Sequence, residues 1–358
     1  MTTKILHQFT DSLVPGDAIT DHAFLLQRWL RQLGFTSEIY TLNLGPGMDT
    51  VAHSITTYQP DPAESHLIYH HSIGSNLVNT LTTQHPHIPH IMIYHNITPP
   101  QFFTGIDANL IAQLQLGRQQ LTTLKQHTTL ALGVSAYNEA ELRELGYPHT
   151  GVLPLPLDPD QYQHPLNPHI QTQFANTGPI LFFLGRIVPN KRQDDLIKLF
   201  YCYRHIRPNA QLIIAGSPWL TRYVDWIHEL TAALGLTNAV HFPGHISFAD
   251  MTTYYQIADL YVSMSEHEGV GKPLLESMFL GTPVLAYASS AIPMTVDTGG
   301  ILFHHKNYYA LAELADLMIH DQTLNQKLIT NGHARVQQFL PTTIKKTLTH
   351  HLTTLNLL

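Results

Sequence analysis

Cysteine is almost missing from this 358-residue chain; Cys202 stands alone. An internal disulfide is impossible, so a small disulfide-stapled scaffold is excluded and a reducing compartment fits. Charge is scarce as well, at 13% of residues with a net charge of −7. The first 150 residues carry six Lys/Arg against eleven Asp/Glu. Nucleic acid binding needs a basic footprint, and none is present. The same shortage argues against a strongly cationic membrane patch. No apolar run approaches the ~20 residues that span a bilayer. Met1-Thr-Thr-Lys-Ile-Leu-His7 reads as a first strand and lacks the apolar stretch of a signal peptide. The expected location is cytoplasmic, with peripheral contact at the inner face of a membrane left open.

What is present is a globular composition, 44% hydrophobic, in a length that suits two domains, each with its own core. The first half alternates short apolar runs with helical patterns, as parallel βα units do. Strands are expected at 4–8, 37–41, 67–70, 90–94, 130–134 and 150–153, and helices at 21–33, 109–125 and 136–145. Ser135 suits the N-cap of the last helix, and Gly146 its end. A proline-rich, aperiodic stretch follows (Pro154, Pro156, Pro159, Pro165, Pro168). The alternation then restarts, with strands at 180–184, 211–215, 240–242, 260–264 and 284–287 and a helix at 193–205. The boundaries are therefore a first domain over 1–155, a linker over 156–178, a second domain over 179–340 and a closing amphipathic helix over 341–358. No 20–50-residue repeat is visible, which excludes a solenoid.

Histidine is abundant at 25 residues. His85-Pro-His-Ile-Pro-His90 and the pairs His70-His71, His304-His305 and His350-His351 lack zinc-site spacing. No metal is expected.

The stretch Ser265-Glu-His-Glu-Gly-Val-Gly-Lys-Pro-Leu-Leu-Glu276 carries the most chemistry. Glu268 and Glu276 flank a glycine pair that leads into a helix, with Pro273 suited to its first position and Gly281 to its end. Free N–H groups and the helix dipole make such an entrance an anion site. Carboxylates on either side of a bound phosphate would hold hydroxyls, as a nucleotide-sugar requires. Gly271-Lys272-Pro273 lacks P-loop spacing, and Leu274 occupies the place of a third Rossmann glycine. Arg186 and Lys191, in Gly185-Arg-Ile-Val-Pro-Asn-Lys191, follow a strand. There, fixed cations stabilise charge that grows on a departing diphosphate.

These two stretches together resemble the retaining family 4 glycosyltransferases of the GT-B fold. Pro15-Gly-Asp-Ala-Ile19, Tyr94-His-Asn-Ile-Thr-Pro99, Ser135-Ala-Tyr-Asn138 and Gly281-Thr-Pro283 resemble family counterparts in the same order. The resemblance implies an α/β GT-B architecture. Two doubly wound Rossmann-like domains face a cleft, the first for acceptor and the second for donor, and the last helix returns to the first domain. It implies a metal-independent transfer of a hexosyl-type sugar from a nucleoside-diphosphate sugar to a hydroxyl acceptor, with retention. Polysaccharide or glycoconjugate synthesis is the implied setting, and the acceptor is a glycan, a lipid-linked glycan or a small molecule.

By that resemblance Arg186 and Lys191 grip the diphosphate, and Glu276 takes the ribose hydroxyls. Glu268 and His95 meet the transferred sugar, with Asn96, Thr98 and Pro99 shaping the rim beside His95. Gly269, Val270 and Gly271 turn amides to the phosphates. Gly216 and Ile246, with Pro218, Gly244 and His245, surround the base, and Gly16 approaches the phosphates from the first domain. Three departures stand out: Gly16 is not part of a glycine pair, Lys272 is charged, and Thr295 replaces a common glutamate. Asp17 and Asp21 are expected to cap a helix. The alternatives are a non-catalytic nucleotide-sugar-binding partner and a GT-B nucleotide-sugar epimerase or hydrolase.

Overall fold

The computed structural model describes residues 4–358, so the expected opening of the first strand at residues 1–3 lies outside the described residues. Two compact units form. One comprises Met1–Thr104, Ala108–Pro156 and Thr342–Leu358; the other comprises Gly105–Asp107 and Leu157–Pro341.

The strands of the first unit are β1 (Lys4–Ile5), β2 (Gln8–Leu13), β3 (Phe35–Thr36), β4 (Ile39–Leu44) and β5 (His53–Ser54), followed by β6 (Leu67–His71), β7 (His90–Tyr94), β8 (Thr128–Gly133) and β9 (Thr150–Val152). Seven of them form one parallel sheet in the order β5-β4-β2-β6-β7-β8-β9, while β1 and β3 pair separately. The chain winds outward from β2 through β4 to β5, then returns beside β2 as β6 and winds the other way.

The central strand is thus Gln8–Leu13, and the expected 4–8 covers only its approach. Gln-Phe-Thr-Asp-Ser-Leu is too polar to read as a buried strand. Gln8 and Thr10 are nonetheless buried, and the Gln8 amide donates to the Ala23 carbonyl at 3.0 Å, which removes the penalty of burying a polar group. The expected strand at 37–41 likewise splits into β3 and β4.

Helix Ala18–Gln32 covers this sheet with Ala23, Leu26, Trp29 and Leu30 buried. Asp17 caps it, accepting from the Ile19 and Thr20 amides, as expected. The last helix, Pro341–Thr354, belongs to the first unit and buries Ile344, Leu348 and Leu352, one stripe at i, i+4, i+8. The His351 imidazole lies 3.1 Å from the Val152 carbonyl on edge strand β9.

The second unit holds β10 (Ile180–Leu184), β11 (Gln211–Ala215), β12 (Val240–Gly244), β13 (Leu260–Ser263), β14 (Val284–Tyr287) and β15 (Ile301–Phe303). Its parallel sheet runs β12-β11-β10-β13-β14-β15, with the change of direction between β10 and β13. In such sheets ligands bind beyond the carboxyl ends of the strands at that reversal.

Much of the stretch expected as a linker is folded here. Helix Pro168–Phe174 starts with Pro168 in its first turn, is capped by Asn167, and buries Ile170 and Phe174. Asn167 also bonds Thr253 and Asp250, at 2.9 and 2.7 Å. Prolines that read as irregular chain are here the first turns of short helices.

Candidate active site

At the reversal of the second sheet, the loops after β10 and β13 lie side by side and are bound together. The Asn190 side-chain amide donates to the His267 carbonyl at 3.1 Å, and the Asn190 backbone carbonyl accepts from the Glu266 backbone amide at 2.8 Å. This crosslink brings Lys191 Nζ to 2.5 Å from Glu268 Oε1. Both side chains are largely shielded, 17% and 12% exposed, so solvent screens the pair little. Arg186 is exposed, with its guanidinium 4.6 Å from the centre of the Trp219 ring. That stacking holds the fork flat while leaving its N–H groups for an anion.

Gly216 follows β11, where its amide donates to the Gly244 carbonyl at 2.8 Å. Its φ is +142°, and a Cβ there would collide with the Gly185 carbonyl. Only glycine lets these two strand-end loops approach so closely. Ile246 is half-buried in the loop after β12, next to exposed His245.

The Glu268 stretch is pinned from the next loop along. The Glu268 amide donates to Ser290 Oγ at 2.8 Å, and Thr295 Oγ1 donates to the Val270 carbonyl at 2.5 Å. Thr295, a departure in the sequence, is therefore a brace for the glycine-rich turn. Gly271 caps helix Lys272–Leu280 at φ +83°, in the left-handed region, and Gly281 closes the helix. The helix begins at Lys272, so Pro273 is its second residue rather than its first.

Glu276, on that helix, is buried at 4% exposure. Tyr162 Oη donates to its Oε1 at 3.0 Å, and Tyr255 Oη to its Oε2 at 3.1 Å. Each carboxylate oxygen keeps a further lone-pair site. A charged network lies behind the loops. Burial opposes the ionisation of Asp195, but its bonds to Arg192, Lys306 and Tyr308 together hold its carboxyl well below the usual carboxylate range. Lys306 reaches on to Glu266 at 2.7 Å.

In the first unit, His95 follows β7. Asn96 takes φ +73°, which asparagine tolerates, and its amide donates to Asn138 Oδ1 at 2.6 Å. The Tyr94 hydroxyl donates to Glu141 at 2.8 Å, and Arg118 bonds Glu141 and the Ile97 carbonyl. The loop carrying His95 is thus anchored to helix Ala136–Glu144. His95 itself is half-buried with its ring among imidazoles, and its basicity falls well below the ordinary value, through desolvation of the ring first and neighbouring His70, His22 and His71 second. Gly16 is exposed at φ +78°, between β2 and helix Ala18–Gln32.

His22, His70 and His95 each offer a ring nitrogen within 4.8 Å of the other two. His70 Nδ1 and His95 Nε2 are only 2.9 Å apart. Two nitrogens on one tetrahedral zinc stand about 3.3 Å apart, so this pair shares a proton as it stands. The His85–His90 cluster disperses, with His87 exposed and His90 buried against His127.

The second unit brings together Lys191, Glu268, Gly269, Val270, Gly271 and Glu276, with Arg186, Gly216 and Ile246 on neighbouring strand ends. His95 and Gly16 belong to the first unit. Sequence reasoning missed Asn190, Ser290, Tyr162, Tyr255 and Lys306. Asn190 stood inside a quoted motif, whereas Tyr162 lay in proline-rich chain and Tyr255 and Lys306 carried no spacing signal.

Residues 168–335 match the family described as glycosyl transferases group 1. A GDP-mannose-dependent monoacylated alpha-(1-6)-phosphatidylinositol monomannoside mannosyltransferase of Corynebacterium glutamicum is 30% identical over 172 residues, covering 46% of this chain and 44% of that protein. A D-inositol 3-phosphate glycosyltransferase of Salinispora tropica is 29% identical over 171 residues, covering 45% and 35%. The chain spans under half the length of these curated relatives. Among solved structures, Anabaena HepE in complex with UDP-glucose superposes with a TM-score of 0.77 at 19% identity, covering 98% of this chain and 99% of that one. Sucrose-phosphate synthase from Thermosynechococcus elongatus gives 0.77 at 18%, again covering 98% and 99%. The fold is GT-B, α/β with parallel sheets, over nearly the whole chain. No helix among the described residues is long and apolar enough to cross a membrane.

Proposed function

We propose that this chain is a glycosyltransferase that moves a hexosyl-type sugar from a nucleoside-diphosphate sugar to a hydroxyl acceptor, with retention and without a metal. The observation that carries the reading is the Lys191–Glu268 contact at 2.5 Å. It joins the loops after β10 and β13, where a doubly wound sheet takes its ligand. A cation for the diphosphate and a carboxylate for sugar hydroxyls are thereby held in one place before substrate arrives, so little reorganisation is needed.

In this reading Arg186 and Lys191 take the charge that builds on the departing diphosphate, and the turn over Gly269, Val270 and Gly271 adds amides. Lys191 exchanges part of its bond to Glu268 for phosphate oxygens, which frees Glu268 to accept from the sugar. Glu276, steadied by two phenols, accepts from the ribose. His95 bonds a hydroxyl of the transferred sugar. The bond from the anomeric carbon to the phosphate oxygen breaks as the acceptor oxygen bonds the same face, and the acceptor's proton passes to the leaving phosphate. The family match over 168–335 and the group-transfer enzymes among the relatives support transfer rather than mere binding. Polysaccharide or glycoconjugate assembly is the proposed setting.

The test is thermal denaturation with UDP, GDP, ADP and TDP, on wild type and Arg186→Ala. The relatives named for GDP-mannose and UDP-glucose put GDP and UDP first. A nucleotide at 100 times its Kd adds about 2.7 kcal/mol. Stabilisation by one nucleotide, lost in Arg186→Ala, is the expected result. No stabilisation by any of the four would overturn the reading.

A further inference from the structure

The bonds around His95 decide which of its nitrogens carries the proton. Gln8, fully buried on β2, sends its amide nitrogen to the Ala23 carbonyl at 3.0 Å. Turning that amide over would set two oxygens against each other, so Oε1 must face the other way. There it meets His70 Nε2 at 3.0 Å, and since Oε1 only accepts, His70 Nε2 must carry a hydrogen. His70 is 1% exposed on β6, and burial pushes its basicity down to about 3, so the ring is neutral and its Nδ1 is bare. Bare Nδ1 can only accept, and its partner at 2.9 Å is His95 Nε2, which therefore donates. His95 is neutral for the same reason of burial. Its Nδ1 is left with a lone pair, shielded from solvent and with no hydrogen-bond partner among the described residues.

We propose that Gln8 and His70 are positioning residues that lock His95 in the Nε2–H form, leaving bare Nδ1 as the dedicated acceptor for one sugar hydroxyl. This rests on the reading of His95 as a sugar contact. An acceptor buried without a donor is costly; His95 as a residue is only half-buried, and a small movement of its ring that lets a hydroxyl reach Nδ1 removes that cost. A phosphate oxygen, which only accepts, cannot do so. Nor can a sugar that lacks that hydroxyl or carries fluorine in its place. A site built around such a bond discriminates strongly against the analogue that cannot make it.

The direct test is a long-range proton–nitrogen spectrum of the full chain labelled with nitrogen-15 histidine, at neutral pH. His70→Phe and His95→Phe identify the two rings. The expected pattern is a protonated Nε2 and bare Nδ1 on both, with a nitrogen–nitrogen coupling across the shared hydrogen. A proton on His95 Nδ1, or no such coupling, overturns the proposal. A second readout is kinetic, using UDP-glucose or GDP-mannose, whichever the wild type turns over. His70→Phe keeps the ring but offers no lone pair, so kcat should fall about tenfold while the donor KM stays within about twofold. Unchanged kcat removes the positioning role. Turnover of neither sugar would count against the functional reading, and the spectrum would still decide the tautomer.

Discussion

Glu268 is the residue on which two demands meet, since it neutralises Lys191 in the ligand-free chain and is assigned to the sugar in the bound one. In the proposed reading, removing it frees the lysine for phosphate and takes away a sugar contact. Glu268→Ala should therefore lower kcat by about a hundredfold or more while nucleotide-sugar affinity holds within a few-fold, because the loss falls on the transition state. Steady-state kinetics beside calorimetric titration would check this, and equal losses in both would remove the sugar assignment. Lys191 and Glu268 were each legible as motif residues. Their pairing was not, because 77 positions separate them and only the sheet order makes them neighbours.

At the scale of elements, the strand-end loops of the second unit work as one piece. Gly216→Ala would put a methyl into the Gly185 carbonyl and force an unfavourable backbone angle. Displacement of the loop that carries Arg186 should follow. The expected outcome is a melting temperature lower by several degrees together with at least tenfold weaker nucleotide binding. A change in stability alone would show that the loops do not act together. Most strands were readable from periodicity, as were helices with plain patterns such as Gln193–Ile206, but helices Thr221–Ala233, Tyr308–His320 and Gln322–Val336 were not expected. Gln8–Leu13 was misplaced because its burial depends on side-chain bonds from other elements. The short helix Pro168–Phe174 was hidden by its own prolines.

At the scale of the whole molecule, acid tolerance is uneven. Burial holds His70 and His90 down to about 3, His71 to about 4 and His95 well below its ordinary range, all in the first unit. Unfolded, each takes a proton near pH 6.5. Their stabilisation is full above that pH and is lost as pH falls toward the folded values, by about 1.4 kcal/mol per pH unit for each. Glu64, raised to about 7 by burial, acts in the opposite sense: its contribution is present below 4.5 and lost as pH rises through 7. Four groups outweigh one, so the first unit should melt first on acidification, with a steep fall in melting temperature below about pH 6. A flat profile between 6.5 and 4.5 would contradict the buried neutral histidines. The last helix adds a matter of timing. It supplies His351 to edge strand β9, yet a ribosome must translate 157–341 before reaching it. At about 5–20 residues per second, that leaves the edge uncovered for roughly ten to forty seconds. An uncovered strand edge is a template for pairing with another chain. The nascent first unit therefore passes through an interval of exposure on every round of synthesis, and a chaperone that screens such edges has its opportunity then.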